Sequence, residues 1–316
     1  MDEKIFQWIT AQTGLRLTQV KNTVLLLQSG ATIPFIARYR KELTDSLDEL
    51  KIAAIQKELN YFLDLEKRKT TVLKTIAEQG NLTPELQKKI EETTDATLLE
   101  DIYLPFKPRK RTRATIAREK GLEPLAKIMM GQFEWDIEKK AKSFLNDEVA
   151  SVEDALAGAR DIVAEWVSEN SRARDAIRYL FKRGAVIGSK VVKSKEAEAQ
   201  KYRDYFEWNE PLSRCPSHRY LAIRRAEKEG FLKVSIAIEE MAALEKLEHI
   251  FLRGNTNCRD QVKLALKDSY KRLLSSSIET EFAQAWKQKA DEEAIRVFGE
   301  NLRQLLLASP LGQKRV

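Results

Sequence analysis

Six basic residues fall between positions 107 and 118, namely Lys107, Arg109, Lys110, Arg111, Arg113 and Arg118, with no acidic residue among them. Elsewhere the chain interleaves Lys and Arg with Asp and Glu, so the run stands out against its surroundings. Such a patch holds a field that a polyanion can use, because each neutralised phosphate releases counterions. A smaller basic group, Arg38, Arg40 and Lys41, lies beside Phe35 and Tyr39. These nine cations are the candidate nucleic-acid contacts, and they would position a ligand through its phosphates rather than read its sequence.

Other chemistry has little to work with. The chain has two cysteines, Cys215 and Cys258, and two histidines, His218 and His249. Cys215 and His218 have the spacing of one ligand pair, but a structural zinc site needs a second pair, which the remaining two do not supply by spacing. No GxGxxG, GxxxxGK[ST] or GxSxG motif occurs. Carboxylate pairs such as Glu239-Glu240 and Glu292-Glu293 sit in charge-rich helical stretches, where solvated faces explain them. The expectation is a protein without catalysis, metal or cofactor. Two cysteines do not make a disulfide framework, so a reducing cytoplasmic compartment is expected.

The elements that carry these residues read as helices. Of 316 residues, 33% are charged and 43% hydrophobic, with only 12 Gly and 8 Pro, a profile of soluble helical proteins. No stretch approaches the about 18 apolar residues of a membrane span. Ile5, Trp8 and Ile9 mark a first helix that ends near Gly14. The segment 18–29 stops at Gly30, and Pro34 opens the next helix at a position where its missing N–H does no harm. Two helices around a glycine turn allow a helix-turn-helix-like N-terminal region.

Ser46 and Glu49 have capping-box spacing and open a helix of about thirty residues, roughly 45 Å long, ending at Gly80. Thr83-Pro84 starts another helix, and 95–103 forms one more before Pro105 and Pro108 break the chain. The basic run is therefore an exposed connection between helical units. The stretch 151–181 reads as one amphipathic helix, and Gly184 and Gly188 then bracket a turn. The stretch 190–208 begins basic and finishes aromatic with Tyr202, Tyr205, Phe206 and Trp208. Interleaving of that kind suits single-stranded nucleic acid, but at helical spacing a core role is favoured. A helix runs from Pro216 to Glu229, and Phe231, Val234, Ile236 and Ile238 make the best strand. Apolar steps of three and four over 260–308 predict a long helix, roughly 70 Å if unbroken, with 275–277 or Gly299 as the places where it could kink.

The expected architecture is mainly α, an elongated multi-helical assembly with minor short β and a long C-terminal helix. The expected regions are 1–80, 81–188 and 189–316.

Five segments, in order, resemble the Tex family of transcription accessory proteins: 32–42 (TIPFIARYRKE), 98–114 (LLEDIYLPFKPRKRTRA), 121–126 (GLEPLA), 216–219 (PSHR) and 308–315 (ASPLGQKR). The resemblance implies bacterial nucleic-acid-binding proteins related to the core of a eukaryotic transcription elongation factor that also chaperones histones. It implies an N-terminal helix-turn-helix region and central helices, followed by ribonuclease-H-like, helix-hairpin-helix and RNA-binding OB-fold domains. This sequence stops at Val316, about where the ribonuclease-H-like domain would begin, so a fragment without those later domains is expected. The implied role is nucleic-acid association, with RNA or DNA, in a transcription complex; RNA polymerase or its associated factors are the expected protein partners. The alternative is a helical scaffold that contacts the transcription machinery while the later domains hold the nucleic acid. The family supplies no catalytic residue at any position here.

Overall fold

The computed structural model describes residues 3–107, 111–253 and 256–308. Backbone packing divides the chain into two compact units, Met1–Pro108 and Arg109–Val316. That division falls at 108/109, inside the expected region 81–188. The chain is mainly α, with 16 α-helices and one three-stranded sheet among the described residues.

The first unit contains α1 (Glu3–Thr13), α2 (Leu17–Gln28), α3 (Ile33–Tyr39), α4 (Lys41–Thr44), α5 (Glu49–Glu78), α6 (Pro84–Glu92) and α7 (Ala96–Tyr103). Its spine is α5, whose buried residues recur at helical spacing: Ile52, Ile55, Leu59, Phe62, Leu65, Lys69, Val72 and Ile76. The first half of that stripe packs on Ile5, Phe6, Ile9, Val20, Val24 and Ile36 from α1, α2 and α3. The second half packs on Ile90, Leu99 and Tyr103 from α6 and α7. That second packing is why no boundary falls after Gly80: the turn folds α6 back onto the helix it leaves. Lys69 is the one buried cation in the stripe, and its Nζ donates to Glu66 Oε1 at 2.8 Å and to the Glu91 carbonyl at 2.9 Å.

The start of α5 differs from the sequence expectation. Asp48, not Ser46, is the N-cap, and its carboxylate accepts from the Lys51 N–H at 2.8 Å. That hydrogen bond from the Lys51 backbone also holds the Asp48 carboxyl below the usual carboxylate range. Ser46 is instead in the left-handed region with Asp45 (φ 60° and 56°), where the chain turns between α4 and α5.

The second unit contains α8 (Arg113–Glu119), α9 (Glu123–Gly131), α10 (Ile137–Ala141), α11 (Val152–Glu169) and α12 (Ser171–Gly184). There follow β1 (Val186–Val191), β2 (Glu207–Pro211), α13 (Ser217–Lys228), β3 (Leu232–Ala237), α14 (Glu240–Phe251), α15 (Cys258–Asp268) and α16 (Ser275–Leu306). The core runs along α11, where Ala155, Ala159, Ile162, Val163, Ala164 and Val167 are wholly buried. Gly158 lies on the face that receives Ala117 and Leu122. The predicted single helix over 151–181 breaks at Asn170, whose side chain accepts from the Ala173 N–H at 3.1 Å and caps α12.

The segment 190–208 is a second correction. Its aromatics are expected at helical spacing, whereas the segment is the end of β1, two 3-10 turns and the start of β2. Gly188 sits inside β1, not in a turn. The sheet order is β2-β1-β3, antiparallel throughout, with Gly188 opposite Asn209 and Ser235. β-branched Val186, Ile187, Val191 and Val192 give this stretch its strand character. The strand predicted near 231–238 forms as β3. The long apolar-stepped helix also forms, as α15 and α16 joined without a break by a π-helical turn at Ser269–Leu274. A buried hydrogen bond from Ser269 Oγ to the Ala164 carbonyl (2.8 Å) lies at that turn and fixes it against α11. Beyond Asp291 the helix is exposed on every side.

Candidate nucleic-acid interface

The N-terminal basic group sits on α3 and the turn after it. Ile36 and Ala37 anchor α3 in the core, at 0% and 7% exposure. Helical spacing then directs Phe35, Arg38 and Tyr39 together away from it. Phe35 is 40% and Tyr39 64% exposed. Their rings are tilted at 44° with centroids 5.5 Å apart. The Arg40 guanidinium lies over the Phe35 ring at 5.3 Å, and Lys41 is exposed beside it. Arg38 approaches Glu49 only at 3.8 Å, with both side chains more than half exposed, so this pair contributes little and leaves the guanidinium available.

The following segment is held in place from α2. Asn22 Nδ2 donates to the Leu43 carbonyl at 2.7 Å, and Arg16 pairs with Asp45. Buried Gln19 reaches the Thr44 carbonyl at 3.5 Å. The result is a surface of two exposed rings and three exposed cations on a fixed backbone. With seven residues α3 is only about 10 Å long. That length is short for reading several base edges along a major groove, and it suits contact with phosphates and base faces.

The longer basic run is less available than its composition suggests. Lys107 is exposed at the end of the first unit, whereas Arg111, Arg113 and Arg118 belong to the second. Arg109 and Lys110 lie outside the described residues. Arg111 forms an ion pair with Glu119 at 2.6 Å. Arg118 is two-thirds covered and pairs at 2.6 Å with Glu165, whose carboxylate is 8% exposed. Thr112, the N-cap of α8, reaches the same carboxylate at 3.4 Å. Arg118 thus ties α8 to α11, and a phosphate would have to displace a buried carboxylate to reach it. Only Arg113 of these three is exposed without an ion pair among the described residues.

Arg113 borders a cleft of about 400 Å³ with Ile116, Lys120, Asp154, Gly158 and Asp161. The Asp161 carboxyl is pushed up by burial, against the pull of Arg272 and, more weakly, Arg113. Three carboxyl groups, Glu148, Asp154 and Asp161, line the cleft against the two cations, so it offers a phosphate no net attraction.

The remaining candidates have packing roles. Burial pushes the Cys215 thiol up to about 12, assisted by its contact with Glu210. Cys258 is fully buried and donates to the Glu134 carbonyl at 3.3 Å. No three His, Cys, Asp or Glu residues cluster to hold a metal among the described residues. Ser217 bonds Glu293, and Arg219 pairs with Glu210 at 2.5 Å, so the 216–219 segment joins α13 to α16 and β2. Tyr202 is buried and donates to Glu229 at 3.1 Å. Tyr205 meets Trp208 edge-on at 5.9 Å. The core reading of these aromatics holds. What the candidate residues omitted was the pair of exposed rings, Phe35 and Tyr39. Their spacing of four, with arginines between and after, was the available signal.

No helix among the described residues is long and apolar enough to cross a membrane. The family model described as Tex-like protein N-terminal domain matches residues 3–77, and that described as Tex central region-like matches 133–298. Transcriptional accessory protein Tex of Neisseria gonorrhoeae is 39% identical over 315 residues, covering 96% of this chain and 41% of that protein. Protein tex of Bordetella pertussis is 39% identical over 330 residues, covering 99% and 42%. A human protein, S1 RNA-binding domain-containing protein 1, is 27% identical over 330 residues, covering 98% and 33%. The chain thus spans about two fifths of the length of these bacterial relatives. Matched at both its N-terminal and its central region, the chain belongs to the Tex family.

Proposed function

We propose that this chain is a non-catalytic, nucleic-acid-associating part of a cytoplasmic transcription accessory protein, and that it contacts its ligand through the α3–α4 surface. One observation carries the reading: Phe35 and Tyr39 present exposed rings among Arg38, Arg40 and Lys41, on a helix whose other side is buried. The names of the relatives, transcription accessory and S1 RNA-binding, support the same class of role. Cations supply sequence-tolerant phosphate contacts and rings supply stacking on unpaired bases. Lys107, Arg109 and Lys110 serve as auxiliary contacts.

Stacking makes the surface prefer single strands. Phe35→Ala/Tyr39→Ala is expected to weaken binding of a single-stranded RNA by about 1–3 kcal/mol per stacked base. Binding of a duplex of the same length should change little. Fluorescence anisotropy at fixed salt measures both, and equal losses on both ligands would defeat the stacking role.

A second reading, a protein-binding scaffold, is favoured by a different observation. Phe133 and Trp135 are 86% and 72% exposed on a loop held rigidly by Gln132, whose side chain bonds the Phe251 carbonyl and the Arg253 N–H, each at 2.9 Å. Ile295, Phe298, Leu302 and Leu305 form an exposed stripe along α16. Retention of RNA polymerase subunits by the chain in the presence of nuclease supports this reading; loss of every partner after nuclease contradicts it.

A further inference from the structure

Charge in the second unit is concentrated around its sheet. Between Lys182 and Lys233 there are 13 Lys and Arg against 7 Asp and Glu, an excess of six in a chain whose whole excess is seven. Lys201, Arg219 and Arg224 are held in ion pairs with Glu229, Glu210 and Glu227. Lys190, Lys193 and Lys233 have no ion pair among the described residues, and all three are exposed.

The sheet brings these cations together. Alternation along β1 turns Ile187 and Ser189 inward and leaves Val186, Gly188 and Lys190 toward solvent. Register then places Lys190 directly opposite Lys233 on β3. Like charges in that position destabilise a sheet unless something compensates them. Lys193 follows at the same end, where the Val192 N–H bonds the Phe231 carbonyl at 2.9 Å. Lys195 lies there too, with its Nζ 5.8 Å over the Phe231 ring. Glu207, across from Lys190 on β2, is the one carboxylate in that row. Apart from Val186, the rest of the solvent face is small or polar: Gly188, Asn209, Pro211, Ser235 and Ala237. The outer edge of β3 is closed where the Ile236 N–H bonds Glu279 at 2.6 Å, so the open surface is the face and not that edge.

We propose that this end of the sheet, built on Lys190, Lys193 and Lys233, is a second contact for the phosphodiester backbone of a nucleic acid. The proposal rests on the nucleic-acid reading above but on separate residues in a separate unit. A concentrated set of unpaired lysines on a face of small side chains lets a strand approach closely. With no exposed ring on that face, the contact is to phosphates alone and serves duplex and single strand alike. The α3–α4 surface, by contrast, distinguishes them.

The test is salt-titrated binding of the full chain to a random-sequence DNA duplex and to a single-stranded RNA of equal length. Lys190→Gln/Lys193→Gln/Lys233→Gln replaces three exposed side chains, and circular dichroism should remain unchanged. The slope of log K against log salt should fall by about 2–3 on the duplex and by about 2 on the single strand, reflecting roughly 0.9 or 0.7 per phosphate left unneutralised. An unchanged slope on both ligands overturns the proposal. If Phe35→Ala/Tyr39→Ala weakens RNA binding while the lysine variant leaves both slopes intact, the sheet contact fails and the α3–α4 reading survives. The converse result sinks only the α3–α4 reading, and absence of binding by the unmodified chain sinks both. Competition by poly-glutamate as effective as by duplex, at equal charge, would assign the face to acidic proteins and overturn the nucleic-acid assignment.

Discussion

Gly158→Ala is expected to destabilise the second unit by up to about 2 kcal/mol, although glycine to alanine inside a helix ordinarily stabilises. The two effects have comparable size, so geometry decides the sign. Alanine gains about 1 kcal/mol of helix propensity over glycine. Against this, a Cβ at Gly158 would press well inside contact distance of Leu122 Cδ1 and come within 3.3 Å of the Ala117 Cβ. Leu122 is 1% and Ala117 3% exposed, so Leu122 must leave a buried position, toward the cleft it lines, to admit the methyl group. Overpacking of that kind costs typically about 1–3 kcal/mol. Gly158→Val adds bulk and loses the propensity gain, and its loss should be larger. Urea unfolding followed by tryptophan fluorescence reports mainly on this unit, which holds Trp135, Trp166, Trp208 and Trp286. A raised midpoint for Gly158→Ala would show that α8 and α11 are not in close contact there.

The second large effect concerns Arg118 and Glu165. Removing one partner of a fully buried pair costs about 3–5 kcal/mol, because the other charge is left without compensation. Arg118 is 32% exposed, so water recovers part of that cost, and Glu165→Ala should lose about 1–3 kcal/mol. The double replacement Arg118→Met/Glu165→Leu should lose less than Glu165→Ala, since apolar side chains of similar volume leave no orphaned charge. Arg118→Gln should lower the stability of the second unit and leave the salt dependence of RNA binding unchanged. A reduced salt slope for Arg118→Gln would return this residue to the phosphate-binding set and contradict its structural role.

The legibility of the chain followed the range of the forces involved. Helix α5 was readable to within a few residues, because its apolar stripe and its terminal glycine are local signals. The strand β3 was readable for the same reason. The break at Asn170 left a local trace, the polar stretch Ser168-Glu169-Asn170-Ser171-Arg172, but the helical pattern resumes at Ile177, and only the bond from the Ala173 N–H to Asn170 shows that a new helix starts there. Strand β1 was obscured by Gly188, which resembles a turn residue until a partner strand is present on each side. The division at 108/109 depends on α6 and α7 packing back on α5, a tertiary fact with no local marker.

The candidate site divided in the same way. Composition found the cations but not their partners. Glu119, one position past the run, and Glu165, 47 positions past Arg118, occupy two of its arginines. The α3 group, by contrast, kept its exposure because Ile36 and Ala37 face the core and their neighbours cannot. Charge excess around the sheet was visible in the sequence, but its meaning required the register that sets Lys190 beside Lys233.

The central claim is that the α3–α4 surface holds nucleic acid. The most direct test is the salt dependence of single-stranded RNA binding by the full chain carrying Arg38→Gln/Arg40→Gln/Lys41→Gln. These side chains are exposed, so circular dichroism should show the fold unaffected. The expected slope is smaller by about 2, near 0.7 for each phosphate left unneutralised on a single strand, with weaker binding at low salt. A variant that binds with the affinity and slope of the unmodified chain would contradict the claim.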